Sequence, residues 1–128
     1  MTSFRHISIS DISLRQGADK LSLSFREKIE FCKLLDQLGT DVIELNYIRN
    51  EKIDPLLIKS ILSATQHIIL AVPVEMNQQS IDQTWNALKI SDRCRLQVCA
   101  PVSSVQMEYI AHMKPQKMKD MIMSAVGI

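Results

Sequence analysis

Four short runs rich in β-forming residues, separated by amphipathic stretches with helical spacing, constrain this chain more than any other feature. The runs begin near residues 6, 42, 67 and 95, a spacing of about 25 to 36 residues that suits successive βα units. Strand one is expected in the stretch Ile7-Ser8-Ile9-Ser10-Asp11, which runs into a polar tail, Ile12-Ser13-Leu14-Arg15-Gln16-Gly17. This alternation reads as a buried strand with a chemically active C-terminal end, and Asp19-Lys20 with Ser22 to Ser24 reads as a loop.

The helix that follows should start at Ser24, with Glu27 completing an S-x-x-E capping box. Phe25, Ile29, Cys32, Leu35 and Leu38 recur on one face, joined by Phe31 and Leu34, and Gly39 is the expected stop. Val42 to Ile48 is strand two. Asp54-Pro55 is expected to cap the next helix with proline at its first position, through Leu57, Ile58, Ile61 and Leu62. His67 to Val74 is nearly continuous apolar sequence, as in a strand covered on both faces. A helix opened by Asn77 to Ser80, a fourth strand over Arg95 to Val102 and two short helices, Ser104 to His112 and Pro115 to Ala125, complete the chain.

Short βα connections between apolar strands demand a parallel sheet with right-handed crossovers, either an open doubly wound sheet or part of a (β/α)8 barrel. The chain has only Gly17, Gly39 and Gly127, so neither the dinucleotide fingerprint nor the P-loop is present. Fifteen basic residues against fourteen acidic ones, with no long run of like charge, give no electrostatic footprint for nucleic acid. No apolar run approaches the roughly 20 residues that span a bilayer, and a cytoplasmic location is expected. Cys32, Cys94 and Cys99 lie in apolar stretches without C-x-x-C spacing and read as buried thiols. His67 and His112 read as surface or strand-start histidines, and the methionines from Met107 to Met123 as packing.

Asp11-Ile12-Ser13-Leu14-Arg15-Gln16-Gly17 resembles the D-T-T-L-R-D-G signature that opens the barrel of the isopropylmalate synthase, homocitrate synthase and hydroxymethylglutaryl-CoA lyase family. Further landmarks follow in register. Leu38-Gly39-Thr40-Asp41-Val42-Ile43-Glu44 is similar to the family's L-G-x-x-x-I-E, and Pro101 to Tyr109 resembles the segment after its fourth strand. The likeness spans essentially the whole chain but only the first half of the family's barrel. It implies an α/β fold of four βα units, a half-barrel of parallel strands, forming a single domain over residues 1–128.

The resemblance also implies chemistry. The family uses a divalent metal to condense an acyl-CoA with a 2-oxo acid, or runs a related cleavage. Its signature arginine, matched by Arg15, steadies the oxyanion or enolate that develops at the metal. The strand-two glutamate, matched by Glu44, could orient Arg15 or move a proton. These two are the candidate catalytic residues, and a structural ion pair between them is the competing reading. Asp11, Asn46 and Ser103 are candidate substrate-binding residues, although Asp11 could equally fix its loop by accepting backbone N–H bonds. Gln16 stands where the family has a metal-ligating acid, and a neutral amide is a weaker ligand for a hard cation. Gln106 stands where many members carry histidine. The family's late His-x-His pair has no counterpart among His6, His67 and His112.

A whole barrel needs about 250 residues, so 128 residues supply half. Four barrel strands leave two open edges, which predicts a homodimer of half-barrels, an open flavodoxin-like relaxation, or a C-terminal half missing from this sequence. Two functions remain in view: an acyl-transferring enzyme or enzyme segment, and a non-catalytic half-barrel that binds a small carboxylate or a partner chain.

Overall fold

The computed structural model describes residues 3–127, with residues 18 and 19 described through their backbone. Its order is β1 (Ser10–Asp11), α1 (Ser13–Gln16), α2 (Ala18–Leu21), α3 (Phe25–Leu38), β2 (Val42–Glu44), α4 (Ile53–Ala64), β3 (Ile69–Val74), α5 (Gln78–Leu88), β4 (Cys94–Val98), α6 (Ser104–Tyr109) and α7 (Pro115–Val126). All four strands are parallel and lie in sequence order, β1-β2-β3-β4. A sheet that adds each new strand to the same edge is the arrangement of a barrel opened along one seam, because a doubly wound sheet reverses direction at a switch point.

The helices start where the sequence supplies caps. Ser24 accepts from the Glu27 N–H while the Glu27 carboxylate accepts from the Ser24 N–H, closing the capping box of α3. Asn77 and Ser103 cap α5 and α6 through the N–H groups of Ser80 and Gln106. Gly39 ends α3 at φ +92°, a left-handed value that a Cβ would strain.

One face of the sheet meets the helices. Ile43, Leu70 and Val72 pack with Cys32 of α3, Ile58, Ile61 and Leu62 of α4, and Ala87 and Leu88 of α5 in one core. Val74, Ile81 and Ala125 form a second cluster under α7. Burying an aliphatic side chain of this size stabilises by about 1.5–3 kcal/mol, so these residues supply most of the drive to fold. Strand alternation sends Ser10, Glu44, Ala71, Pro73, Arg95 and Gln97 to the opposite, inner face, in the register Glu44 to Ala71 to Arg95 and Pro73 to Gln97.

Several details depart from expectation. Strand one is only two residues long, and Ile7 and Ile9, which precede it, are exposed. Phe25, Leu34 and Leu38 face solvent on α3 and Trp85 does so on α5. The stretch read as a loop at Asp19-Lys20 is a helical turn. Helix α4 starts at Ile53, not at Pro55. The Asn50 side chain accepts from the N–H groups of Lys52 and Ile53, and Asp54 turns back to accept from Arg49 and Asn50. Cys32 is fully buried, and burial with the nearby Asp11 charge pushes its thiol up to about 12. Cys94 and Cys99 are only half-buried. No helix among the described residues is long and apolar enough to cross a membrane.

Candidate functional site

The C-terminal ends of the strands bring Arg15, Glu44 and Cys99 together, from three segments far apart in sequence. Strand β2 presents Glu44 at its last position, on the inner face. The turn after β1 presents Arg15: Asp11 accepts from both the N–H and the hydroxyl of Ser13, at 3.0 and 3.3 Å, which fixes the start of α1. Buried Leu14 anchors that turn in the core. Gly17 lets it close tightly, because a Cβ there would lie 2.9 Å from the Ser13 carbonyl oxygen that already accepts the Gly17 N–H.

Arg15 donates from Nη1 to Glu44 Oε2 at 2.7 Å and from Nη2 to Cys99 Sγ at 3.2 Å. The other carboxylate oxygen of Glu44 accepts from the Ser10 hydroxyl at 3.0 Å. Both members of the pair are part-exposed, with 23% of the arginine and 15% of the glutamate side chain reachable by solvent. Burial alone would raise the Glu44 carboxyl, but the Arg15 and Ser10 hydrogen bonds outweigh it. The Arg15 charge and the Gln97 amide add to them, and the net position is below the ordinary carboxylate range. Arg15 is raised in turn, chiefly by its bond to Glu44 and against the cost of burial.

Gln97 lies beside this group on β4, and its buried Oε1 has no partner. An orphaned acceptor of this kind costs about 1–3 kcal/mol unless a donor reaches it. Sequence reading missed Ser10, Gln97 and Cys99. The alternation that places Glu44 inward could have found Ser10 and Gln97, since both share its face by period two.

The remaining candidates lie elsewhere. Asn46 accepts from the Tyr47 N–H and lines a separate recess with Leu14, Lys28, Leu45 and Asp54. Ser103 is spent on capping α6. Gln16 is exposed.

With this geometry in place, comparison with known proteins places the chain. A family model described as HMGL-like matches residues 6–128. The chain belongs to the HMGL-like family. Its parallel, sequence-ordered sheet is accordingly four βα units of the family's (β/α)8 barrel. Relatives of this HMGL-like chain include the 2-isopropylmalate synthase of Clostridium kluyveri, 31% identical over 130 residues, covering 97% of this chain and 25% of that protein. The 2-isopropylmalate synthase of Halalkalibacterium halodurans is 29% identical over 124 residues, covering 95% of this chain and 24% of that protein. The chain thus spans about a quarter of the length of the curated relatives it matches.

The metal implied by the family finds a poor donor set among the described residues of this HMGL-like chain. No three of His, Cys, Asp and Glu come together there. Asp11 is engaged by Ser13, Glu44 by Arg15 and Ser10, and Gln16 offers only a neutral amide. These residues do not fit a divalent cation, and no chemical step is derived through one.

Proposed function

We propose that this HMGL-like half-barrel binds a small carboxylate, of the 2-oxo acid class, at Arg15 without a metal, and does not itself condense that acid with an acyl-CoA. The observation that carries this reading is the Arg15 guanidinium, held by Glu44 and Cys99 at the strand ends yet still reachable by solvent. A planar guanidinium suits bidentate recognition of a carboxylate. Glu44 holds the fork in place and, as an anion, keeps the affinity for a second carboxylate modest. The Ser10 hydroxyl, which donates to Glu44, is a further donor beside it, whereas the unpartnered Gln97 oxygen is an acceptor and does not serve an anion.

Condensation needs more than an anchor. The enolate formed from the acyl group and the developing alkoxide both need concentrated positive charge. Here Arg15 is largely neutralised by Glu44 and the metal-ligating acid is replaced by Gln16. A second reading, a segment of an acyl-transferring enzyme, draws on the same arginine in the signature position and on relatives named 2-isopropylmalate synthase. In that reading the missing ligands come from strands outside this chain.

Calorimetric titration with pyruvate, with and without millimolar Mg2+, tests the proposal. The expected result is millimolar binding, indifferent to Mg2+ and lost in Arg15→Met. Wild-type affinity in Arg15→Met, or no binding at all, overturns it. Tight binding that needs Mg2+, with free CoA released from acetyl-CoA, would establish the second reading instead.

A further inference from the structure

We propose that the recess behind the Arg15 turn, on the helix side of the sheet, is a second ligand site and takes a small aliphatic amino acid as its zwitterion. This inference does not depend on the carboxylate reading, because Arg15 does not line the recess.

The recess has a volume of about 170 Å3 and is walled entirely by the first two βα units, between residues 14 and 58. Its floor is the top of the core. Leu14 of α1, Leu45 just beyond β2 and Ile58 of α4 are 4%, 6% and 2% exposed. Its rim carries three half-buried polar side chains: Lys28 from the first turn of α3, Asn46 from the loop after β2, and Asp54 from the first turn of α4. A space of this size holds roughly five or six water-sized groups, which limits an occupant to about the size of alanine.

Two of the rim side chains have donors to spare and the third has an acceptor. The ion pairs among the described residues are Arg15–Glu44 and Lys33–Glu30, so the Lys28 ammonium has no ion-pair partner there. Asn46 accepts from the Tyr47 N–H through Oδ1 at 2.8 Å. That bond fixes which way round the amide sits, and the NH2 group bonds nothing among the described residues. Asp54 commits Oδ2 to the N–H groups of Arg49 and Asn50, both at 2.8 Å, and keeps Oδ1 open.

A cation, an amide donor and a free carboxylate oxygen around an apolar floor complement one molecule that bears both charges on a short aliphatic body. The ligand carboxylate accepts from Lys28 and Asn46, its ammonium donates to Asp54 Oδ1, and its side chain covers Leu14, Leu45 and Ile58. A plain carboxylate would face the Asp54 charge uncompensated, and a plain amine would face Lys28. Either mismatch is costly where the groups are half-buried and screened less than in open water. The N-termini of α3 and α4, whose first turns line the rim, favour the carboxylate further.

Calorimetry on the full chain with L-alanine, propionate and ethylamine tests the site. L-alanine is expected to bind in the millimolar range, and propionate and ethylamine at least about tenfold more weakly, the loss of one hydrogen bond to a charged group. Lys28→Met keeps an aliphatic stem over the core. Asn46→Asp keeps the acceptor for the Tyr47 N–H but replaces the amide donor with a second anion. Both variants are expected to fold, with unchanged circular dichroism spectra, and to lose L-alanine binding. Arg15→Met, which removes the proposed pyruvate anchor, is expected to bind L-alanine as the wild type does. L-alanine binding that survives Lys28→Met and Asn46→Asp, or that disappears in Arg15→Met, places the amino acid elsewhere and overturns the proposal. Equal affinity for propionate overturns it as well, and so does the absence of any L-alanine binding.

Discussion

The sheet has an acid at each end, and the two are held by different kinds of partner. At the N-terminal end of the strands, Asp36 from the last turns of α3 accepts from three consecutive backbone N–H groups, those of Gln66, His67 and Ile68, at 2.8 to 3.1 Å. At the C-terminal end, Glu44 is held wholly by side chains, Arg15 and Ser10. Backbone donors are fixed by the fold, so Asp36 ties helix α3 to the start of β3. Side-chain donors can turn away when a ligand arrives, so Glu44 holds an adjustable arrangement. In barrels the N-terminal face reads as stability and the C-terminal face as chemistry, and these two acids divide along that line.

The contrast is sharpest at Arg93, which belongs to the stabilising end. Its guanidinium donates to the carbonyls of Leu62, Thr65 and Ile68 and to the Thr65 hydroxyl, at 2.7 to 3.3 Å. It caps the C-terminus of α4, where a cation also meets the negative end of the helix dipole. Arg93→Met leaves those carbonyls without their donor and is expected to cost about 3 kcal/mol in urea unfolding. A loss under 1 kcal/mol would mean that this end is not held as described.

Next in size is Asp36→Asn, expected to cost about 2 kcal/mol at pH 7, since an amide oxygen accepts the three N–H groups more weakly than a carboxylate. Burial pushes the Asp36 carboxyl up, but the Gln66, His67 and Ile68 N–H groups and the nearby His67 bring it below its ordinary value of 3.8. A depressed native value means that the stabilisation is fully present above about pH 4 and drains away as pH falls through the native value. The variant's stability should therefore fall less steeply than the wild type's below about pH 4. Parallel acid unfolding profiles would contradict the assignment.

Much of the scaffold is legible in the sequence, because local chemistry decides it. Ser24 with Glu27, Gly39, and the apolar spacing of Ile58, Ile61 and Leu62 each act within a few residues of chain. The parallel order of four strands follows from the spacing of the runs in the same way. The C-terminal end is less legible. The Arg15–Glu44 pair was suggested by resemblance, but the contact to Cys99 joins residues 84 apart, and no local pattern encodes it. Apolar alternation at Ile7 and Ile9 predicts a strand there, yet β1 starts only at Ser10 and both isoleucines are exposed, because alternation alone does not supply the pairing and cover that a strand needs. Likewise Asp54-Pro55 carries the signature of a cap, and the first N–H groups are met instead by Asn50, four residues earlier, because Asp54 is drawn into the Arg49-Asn50 turn.

At the adjustable end, Glu44→Gln is expected to cost only about 1 kcal/mol, between an exposed ion pair and a buried one. Its larger effect should be on binding. Without the Glu44 charge, Arg15 is no longer neutralised, and pyruvate should bind several-fold more tightly in calorimetry. Glu44 sits below its ordinary value of 4.5, so the wild type should move toward the variant's affinity only as pH falls well below 4.5. If the variant binds more weakly, Glu44 positions Arg15 more than it neutralises it.

The smallest effect belongs to Cys99. A thiol sulfur is a weak acceptor, so the 3.2 Å contact from Arg15 Nη2 adds little stability, and Cys99→Ala is expected to change it by about 0.5 kcal/mol or less. What the contact does is occupy one arm of the guanidinium while Glu44 occupies the other. Releasing that arm gives an incoming carboxylate a free donor pair at no cost in a displaced bond, so pyruvate affinity should rise slightly while unfolding is unchanged. Cys99→Ser supplies the control, because a hydroxyl accepts from Nη2 more strongly than sulfur and should weaken binding. If alanine and serine move affinity in the same direction, Cys99 acts through packing, and the adjustable end of the sheet consists of Arg15, Glu44 and Ser10 alone.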